Sequence, residues 1–335
     1  MEPQRAIYEP LNALRGMAAL AVMLSHSAQL TGQSLVPRGY LAVDLFFCLS
    51  GFVIAHAYDQ RLATGLRPVT FLKLRVIRLY PLYLLGLGIG GAVAIAAILL
   101  APPASLTVGE WLAAAGFGLV FLPVWFATAL YPLNVPSWSL LFELVVNAAF
   151  AALHPRLAIS VLFLVALASF GALWWLSPPE LSGGSTPATA HIGLLRATFS
   201  FSVGVLLHRL ALPKHTLPGA LPLLLAALAP MLLSIGPDLL IVAILFPLII
   251  AALATCRPSR LDRCFAWLGG MSYALYALHA PILEVGAALQ RRDLPLPSWL
   301  WFAVAVAAAH VAYRYYDVPV RRTRMLIPEH RMGRP

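Results

Sequence analysis

Eleven apolar runs follow one another along the chain, at residues 11–31, 39–57, 79–101, 110–131, 138–153, 157–177, 192–210, 217–235, 238–255, 266–289 and 298–316. A membrane-spanning helix needs about 20 mostly apolar residues, and most of the runs come close to that length. The pattern predicts an all-α, polytopic membrane helical bundle. Charges gather in the gaps. Arg61, Arg67, Lys73, Arg75 and Arg78 occupy 59–78; Arg209 and Lys214, then Arg257, Arg260 and Arg263, occupy two later gaps; Arg321, Arg322 and Arg324 stand in the tail. Lys and Arg mark cytoplasmic loops, so these four segments belong inside, with an even number of crossings between 59–78 and the tail. Nine runs lie in that interval, so one of them fails to cross. The weakest are 110–131, opened by Glu110 and interrupted by Pro123, and 138–153, which is short and contains Glu143. Broken backbone is tolerated at membrane depth only where it is buried in protein or lines a cavity. The expectation is about 10 transmembrane helices, both termini cytoplasmic, with one re-entrant or broken element in 110–153. Arg291 and Arg292 are the exception to the charge bias and fall outside. Residues 1–335 then form a single integral-membrane domain with a short basic cytoplasmic tail at about 318–335.

Composition agrees. The 335 residues are 61% hydrophobic and 11% charged, where a soluble domain carries roughly a quarter charged residues. The net charge of +10 invites a nucleic-acid partner, but the basic residues form no stripe with interleaved aromatics. Membrane topology accounts for the charge, the surroundings are membrane lipids, and no nucleic acid is implied. The three cysteines, Cys48, Cys256 and Cys264, have no metal-ligand spacing, and their odd count argues against a disulfide framework. No metal is expected. Arg15 interrupts the first run and no small-residue cleavage pattern follows it, so this run reads as helix one of the mature protein rather than a signal peptide.

Chemistry enters through polar residues inside apolar runs, which are costly there. Arg15 and His26 have ten residues between them. Eleven steps of an α-helix turn through about 1100° and rise roughly 16 Å, so the two share a face at different depths. One is a fixed cation; the other titrates near neutral pH. Arg75 and Arg78, three apart, share a face at a cytoplasmic boundary. They are either positive-inside decoration or a two-guanidinium grip for phosphate. Tyr80-Pro81 directly after them predicts a bend where one helix ends and another starts. In Asn134-Val135-Pro136-Ser137-Trp138-Ser139-Leu140-Leu141-Phe142-Glu143, Pro136 can start a helix and Ser137 or Ser139 can cap it. Trp138 serves as an interfacial anchor. Glu143 lies on the face of Ser139 and needs a partner, for which Arg15, Arg75 and His26 are available. Asp44 and Ser50 face different sides of helix two, with Asp44 placed to pair with an Arg or to orient His26. Gly51 allows close backbone approach. Ser272, Tyr276 and His279 form a polar stripe on one late helix.

Taken in order, the Arg-x10-His run, Phe46-Phe47-x-Leu49-Ser50-Gly51-Phe52, Arg75-x-x-Arg78, Pro136-Ser137-Trp138-Ser139-Leu140-x-x-Glu143, Ser272-Tyr273-x-x-Tyr276-x-x-His279 and Tyr316-Asp317-x-Pro319 resemble the acyltransferase-3 family. The motifs extend from residue 11 to about 322. Asp317 departs from the Glu common at that position. The resemblance implies a membrane-bound O-acyltransferase that moves an acyl group, above all acetyl, from cytosolic acyl-CoA (acetyl-CoA) to a hydroxyl. The acceptor it implies is a cell-surface glycan or lipid-linked saccharide, and the site is the bacterial inner (cytoplasmic) membrane. It assigns catalysis to His26, Arg15 and Glu143 and donor binding to Arg75 and Arg78. A substrate or structural polar set comprises Asp44, Ser50, Ser137, Trp138, Ser139, Tyr276 and His279. His26 acts as a base or carries the acyl group itself; both stay open. The competing readings are a proton-coupled transporter, with Arg15, His26 and Glu143 as a relay, and an acyltransferase acting on a small secreted metabolite.

Overall fold

Each of the eleven apolar runs contains one main helix. In chain order these are α1 (Glu9–Ser25), α2 (Ala42–Ala63), α3 (Pro68–Leu100), α4 (Val108–Leu119), α5 (Ser137–Leu153), α6 (Ile159–Leu176), α7 (Ala190–Arg209) and α8 (Leu221–Leu233). They continue with α9 (Asp238–Leu253), α10 (Asp262–Gln290) and α11 (Ser298–Ala312), the last running into a π-helical turn at Tyr313–Asp317. The computed structural model describes residues 9–100, 106–177, 180–210, 217, 219–257, 259–294 and 296–320. Lys214 and the basic tail from Arg321 lie outside the described residues. The described residues are helices joined by turns, and five of the helices, α2, α3, α5, α6 and α7, are long and apolar enough to cross a membrane.

The bundle has two ends, fixed by polar contacts between loops. At one end Arg38 donates to the Gly236 carbonyl and pairs with Asp238 at 3.2 Å, Tyr40 donates to Asp238 at 2.7 Å, and Ser298 donates to the Leu30 carbonyl at 3.1 Å. At the other, Asp59 holds both His154 and Arg209 at 2.6 Å, tying the ends of α2, α5 and α7 together. Glycine makes the tightest crossing, between α2 and α7. A methyl group on Gly51 would sit 2.1 Å from the Phe201 carbonyl oxygen, and one on Gly204 2.0 Å from that of Cys48. Backbones approach this closely only where both positions lack a side chain.

The irregular element expected in 110–153 is specific. Helix α4 has a capping box, Thr107 with Glu110, and stops after 12 residues; residues 120–136 are non-helical; the doubted run 138–153 is helical as α5. The non-helical backbone is buried in protein. Asn134 Nδ2 donates to the Ala277 carbonyl at 2.9 Å, and a methyl on Gly90 of α3 would lie 1.8 Å from the Leu133 carbonyl oxygen.

Two local expectations fail. Tyr80-Pro81 does not end a helix: α3 runs unbroken through Pro81 for 33 residues. Proline removes one helical hydrogen bond, and neighbouring hydroxyls supply that turn with others. Tyr273 donates to the Leu79 carbonyl and Tyr316 to the Pro81 carbonyl at 3.3 Å. Nor do Ser137 and Ser139 cap α5. Pro136 is its N-cap without a side-chain cap bond, and Ser139 Oγ donates to the Pro136 carbonyl at 3.1 Å.

Candidate functional site

A cavity of about 190 Å³ opens among α1, α2, α3, α5 and α10. Its wall carries Arg15 from α1, Ser50 from α2, Arg75 and Arg78 from α3, Ser139 and Glu143 from α5, and Ser272, Tyr273 and Tyr276 from α10. These residues are far apart in sequence, and each sits in an apolar run or at its edge. Glu143 finds its partner in Arg75 rather than in His26. Arg75 Nη2 donates to Glu143 Oε1 at 2.6 Å, and Ser50 Oγ donates to the same oxygen at 2.8 Å. Both bonds end on Oε1, so Oε2 stands outside them. Arg78 pairs with Asp317 Oδ2 at 3.4 Å and lies over the Tyr273 ring at 5.8 Å.

Each arginine of the Arg75–Arg78 pair therefore meets one carboxylate from another helix. The cavity wall brings the guanidiniums of Arg15, Arg75 and Arg78 together with the carboxylate of Glu143, and guanidiniums suit an anion. Asp317 is buried, and it sits in a π-helical turn, a geometry that recurs at functional sites. The departure from Glu at this position keeps a carboxylate on Arg78.

His26 does not line the cavity. It lies one residue beyond the end of α1, partly buried, while Arg15 lines the wall. A line of aromatic rings connects the two places. Tyr276 is on the wall, its ring is 5.9 Å from that of His279, and His279 is 5.1 Å from His26. The Tyr276 and Ser139 hydroxyls share a hydrogen bond of 2.6 Å. His26 Nδ1 donates to the Val22 carbonyl at 2.8 Å; a carbonyl can only accept, so Nε2 keeps the lone pair.

Asp44 does not orient His26. It accepts from Arg196 Nε at 3.1 and 3.2 Å and from Nη2 at 2.6 Å, with both side chains almost fully buried. Arg196 also donates to the Gly183 and Tyr40 carbonyls and lies 5.5 Å over the Trp138 ring. Trp138 thereby packs inside the bundle against α7 rather than at an interface. Arg196 is the residue the sequence reasoning missed. The available signal was the one that singled out Arg15, an arginine inside an apolar run. Ser137 is buried at the first turn of α5, next to this arrangement.

A profile of the acyltransferase-3 family, described as an acyltransferase domain, matches residues 9–313. The chain belongs to the acyltransferase-3 family. Among its relatives is Protein 2 in picA locus of Rhizobium radiobacter, 44% identical over 160 residues, which are 44% of this chain and 82% of the relative. Exopolysaccharide production protein ExoZ of Rhizobium meliloti (strain 1021) is 35% identical over 131 residues, 38% of either chain. Acyltransferase MdmB of Streptomyces mycarofaciens is 35% identical over 155 residues, 42% of this chain and 38% of the relative. No solved structure matches the chain. Family and relatives make the protein a membrane acyltransferase, an enzyme acting as an O-acyltransferase on an acyl donor. Apolar helices and family together make it a multi-pass membrane protein. The transporter reading falls with that assignment.

Proposed function

We propose that the protein transfers an acetyl group from cytosolic acetyl-CoA to a sugar hydroxyl of a surface glycan or lipid-linked saccharide at the bacterial inner membrane. The observation that carries the reading is the cavity wall, which gathers the guanidiniums of Arg15, Arg75 and Arg78 in one place. Arg75 and Arg78 take the donor's phosphates, exchanging part of their contact with Glu143 and Asp317 for a better-matched anion. The pantetheine arm then extends past Tyr276 toward His26. His26 Nε2 removes the hydroxyl proton and the alkoxide attacks the thioester carbon, while Arg15 on the cavity wall joins Arg75 and Arg78 in holding the donor's anionic end. The C–S bond breaks and the proton ends on the coenzyme A sulfur.

In this reading the end of the bundle with Asp59 and Arg209 is cytoplasmic, the end with Arg38 and Asp238 faces outward, and ten helices cross while α4 with 120–136 re-enters. The name of the Rhizobium meliloti relative, a protein of exopolysaccharide production, supports a saccharide acceptor.

The test is transfer of labelled acetyl from acetyl-CoA to lipid-linked saccharides by the purified protein in lipid nanodiscs. Wild type should transfer label, and His26→Ala should lose it by about 10²–10⁴-fold, the usual weight of a general base. Equal transfer by His26→Ala would remove His26 from the mechanism. Cysteine labelling near Gly32 should report the outside, and near Arg67 and Arg260 the inside; an outside signal at Arg260 would reverse the orientation.

A further inference from the structure

The mechanism leaves one buried titratable group unused. His279 on α10 is 0% exposed. Its Nδ1 donates to the Leu275 carbonyl at 3.1 Å, which fixes the tautomer and leaves the lone pair on Nε2. That Nε2 is buried and has no hydrogen-bond partner. A buried acceptor without a donor forfeits its hydration and gains nothing in return, so such atoms call for an explanation. His26 is held in the same way by Val22, which leaves its Nε2 as the acceptor. The two rings are 5.1 Å apart between centroids and inclined at 54°. Two acceptors cannot bond to each other. One added proton makes either ring a donor to the other, and a hydrogen bond from a charged donor is roughly twice as strong as a neutral one.

We propose that His279 and His26 form a proton-sharing pair, in which Nε2 of His279 receives the hydrogen bond of the imidazolium that His26 becomes when it deprotonates the acceptor. The inference rests on the acyl-transfer reading. The acceptor O–H bond breaks and its proton moves to His26 Nε2; the oxygen bonds the acyl carbon and the C–S bond breaks. Once the oxygen has become an ester, it no longer holds the Nε2–H, which turns to His279. The thiolate takes the proton last, leaving free coenzyme A thiol and two neutral histidines. His279 touches no substrate and acts through His26, as a positioning residue. It stabilises a charge formed away from bulk water until the thiolate takes the proton.

The test uses purified wild type, His279→Leu and His279→Gln in nanodiscs, with acetyl-CoA and a lipid-linked saccharide extract as substrates. Rates and the KM for acetyl-CoA are measured for each. In His279→Leu, kcat should fall about 10²-fold while KM for acetyl-CoA holds. Glutamine accepts a hydrogen bond, so His279→Gln should recover part of kcat. An undiminished kcat in folded His279→Leu, or a folded His279→Gln no faster than it, overturns the pair. Histidine nitrogen NMR of acidified wild type should show one Nε2–H bonded to the other Nε2; two rings that protonate independently overturn the pair even if neither variant folds. Wild type that moves no acetyl to the extract overturns the underlying reading instead.

Discussion

Arg196–Asp44 and Arg75–Glu143 are the same chemical pair closed at the same 2.6 Å in two different surroundings. The first has side chains 0% and 1% exposed, and Arg196 spends its remaining donors on the Gly183 and Tyr40 carbonyls. The second has both side chains 16% exposed on a cavity wall, and Arg75 Nε has no partner. A buried pair with its hydrogen bonds filled is inert toward ligands and expensive to break. A pair with donors to spare beside a cavity is available for exchange. The difference separates the scaffold of this protein from its chemistry, although both pairs arise from a charged residue set in an apolar run.

Breaking the comparison at its buried member should have the largest effect. Arg196→Ala leaves Asp44 charged, unpaired and out of reach of water, a loss of about 3–5 kcal/mol. Thermal unfolding in detergent should show a collapse of the folded fraction. Replacing both partners by apolar residues of similar volume, Asp44→Leu with Arg196→Met, should recover much of that loss. Double-mutant stability no better than that of Arg196→Ala would mean the pair does more than satisfy itself.

At the exposed member the outcome should invert. Glu143→Gln retains the shape of the side chain and an acceptor oxygen for Ser50 and Arg75, so both partners keep a hydrogen bond. Stability should hardly change. Acyl transfer should fall by about 10²-fold, because without the ionic bond the Arg75 guanidinium is no longer fixed where the donor meets it. A large drop in unfolding temperature with transfer intact would make Glu143 scaffold and erase the contrast.

Arg75→Lys should act more gently and on one substrate. An ammonium keeps the charge but loses the planar fork. Acetyl-CoA affinity should weaken about tenfold, equivalent to about 1.4 kcal/mol, with acceptor KM unchanged; isothermal titration with acetyl-CoA reads the first and steady-state kinetics the second. Unchanged donor affinity would return Arg75 to positive-inside decoration.

Much of this contrast is legible in the chain. Runs of about 20 apolar residues admit only a helix at membrane depth, because backbone groups have no other partner there, so all eleven runs located helices. The cost of a buried charge singled out Arg15 and Glu143, and both line the cavity. Applied evenly, the same rule would have marked Arg196, whose partner 152 residues away no local pattern reveals. Tertiary contacts account for the rest. Pro81 stays inside a helix whose Leu79 and Pro81 carbonyls accept from the hydroxyls of Tyr273 and Tyr316, and 120–136 can stay non-helical because Gly86 and Gly90 let it lie against α3. His26 and Arg15 share a helix face in sequence, yet only Arg15 reaches the cavity, since α1 ends at Ser25.

Ser50 gives the smallest effect and the sharpest reading of the exposed pair. Its hydroxyl donates to Glu143 Oε1, the oxygen that also receives Arg75, at 2.8 Å. Ser50→Ala removes one of two donors but leaves the carboxylate its ion pair and access to the cavity. A hydrogen bond to a charged group is worth about 1.5–3 kcal/mol where buried; at this exposure water makes up most of it. Transfer should drop only a few-fold, with donor affinity unchanged, because Arg75 keeps its place. The corresponding loss at the closed pair has no water to replace it, so removing a single donor from Asp44 should cost folding instead. If Ser50→Ala abolishes transfer, the Ser50 hydroxyl itself meets the substrate, and the cavity pair is a triad rather than a pair.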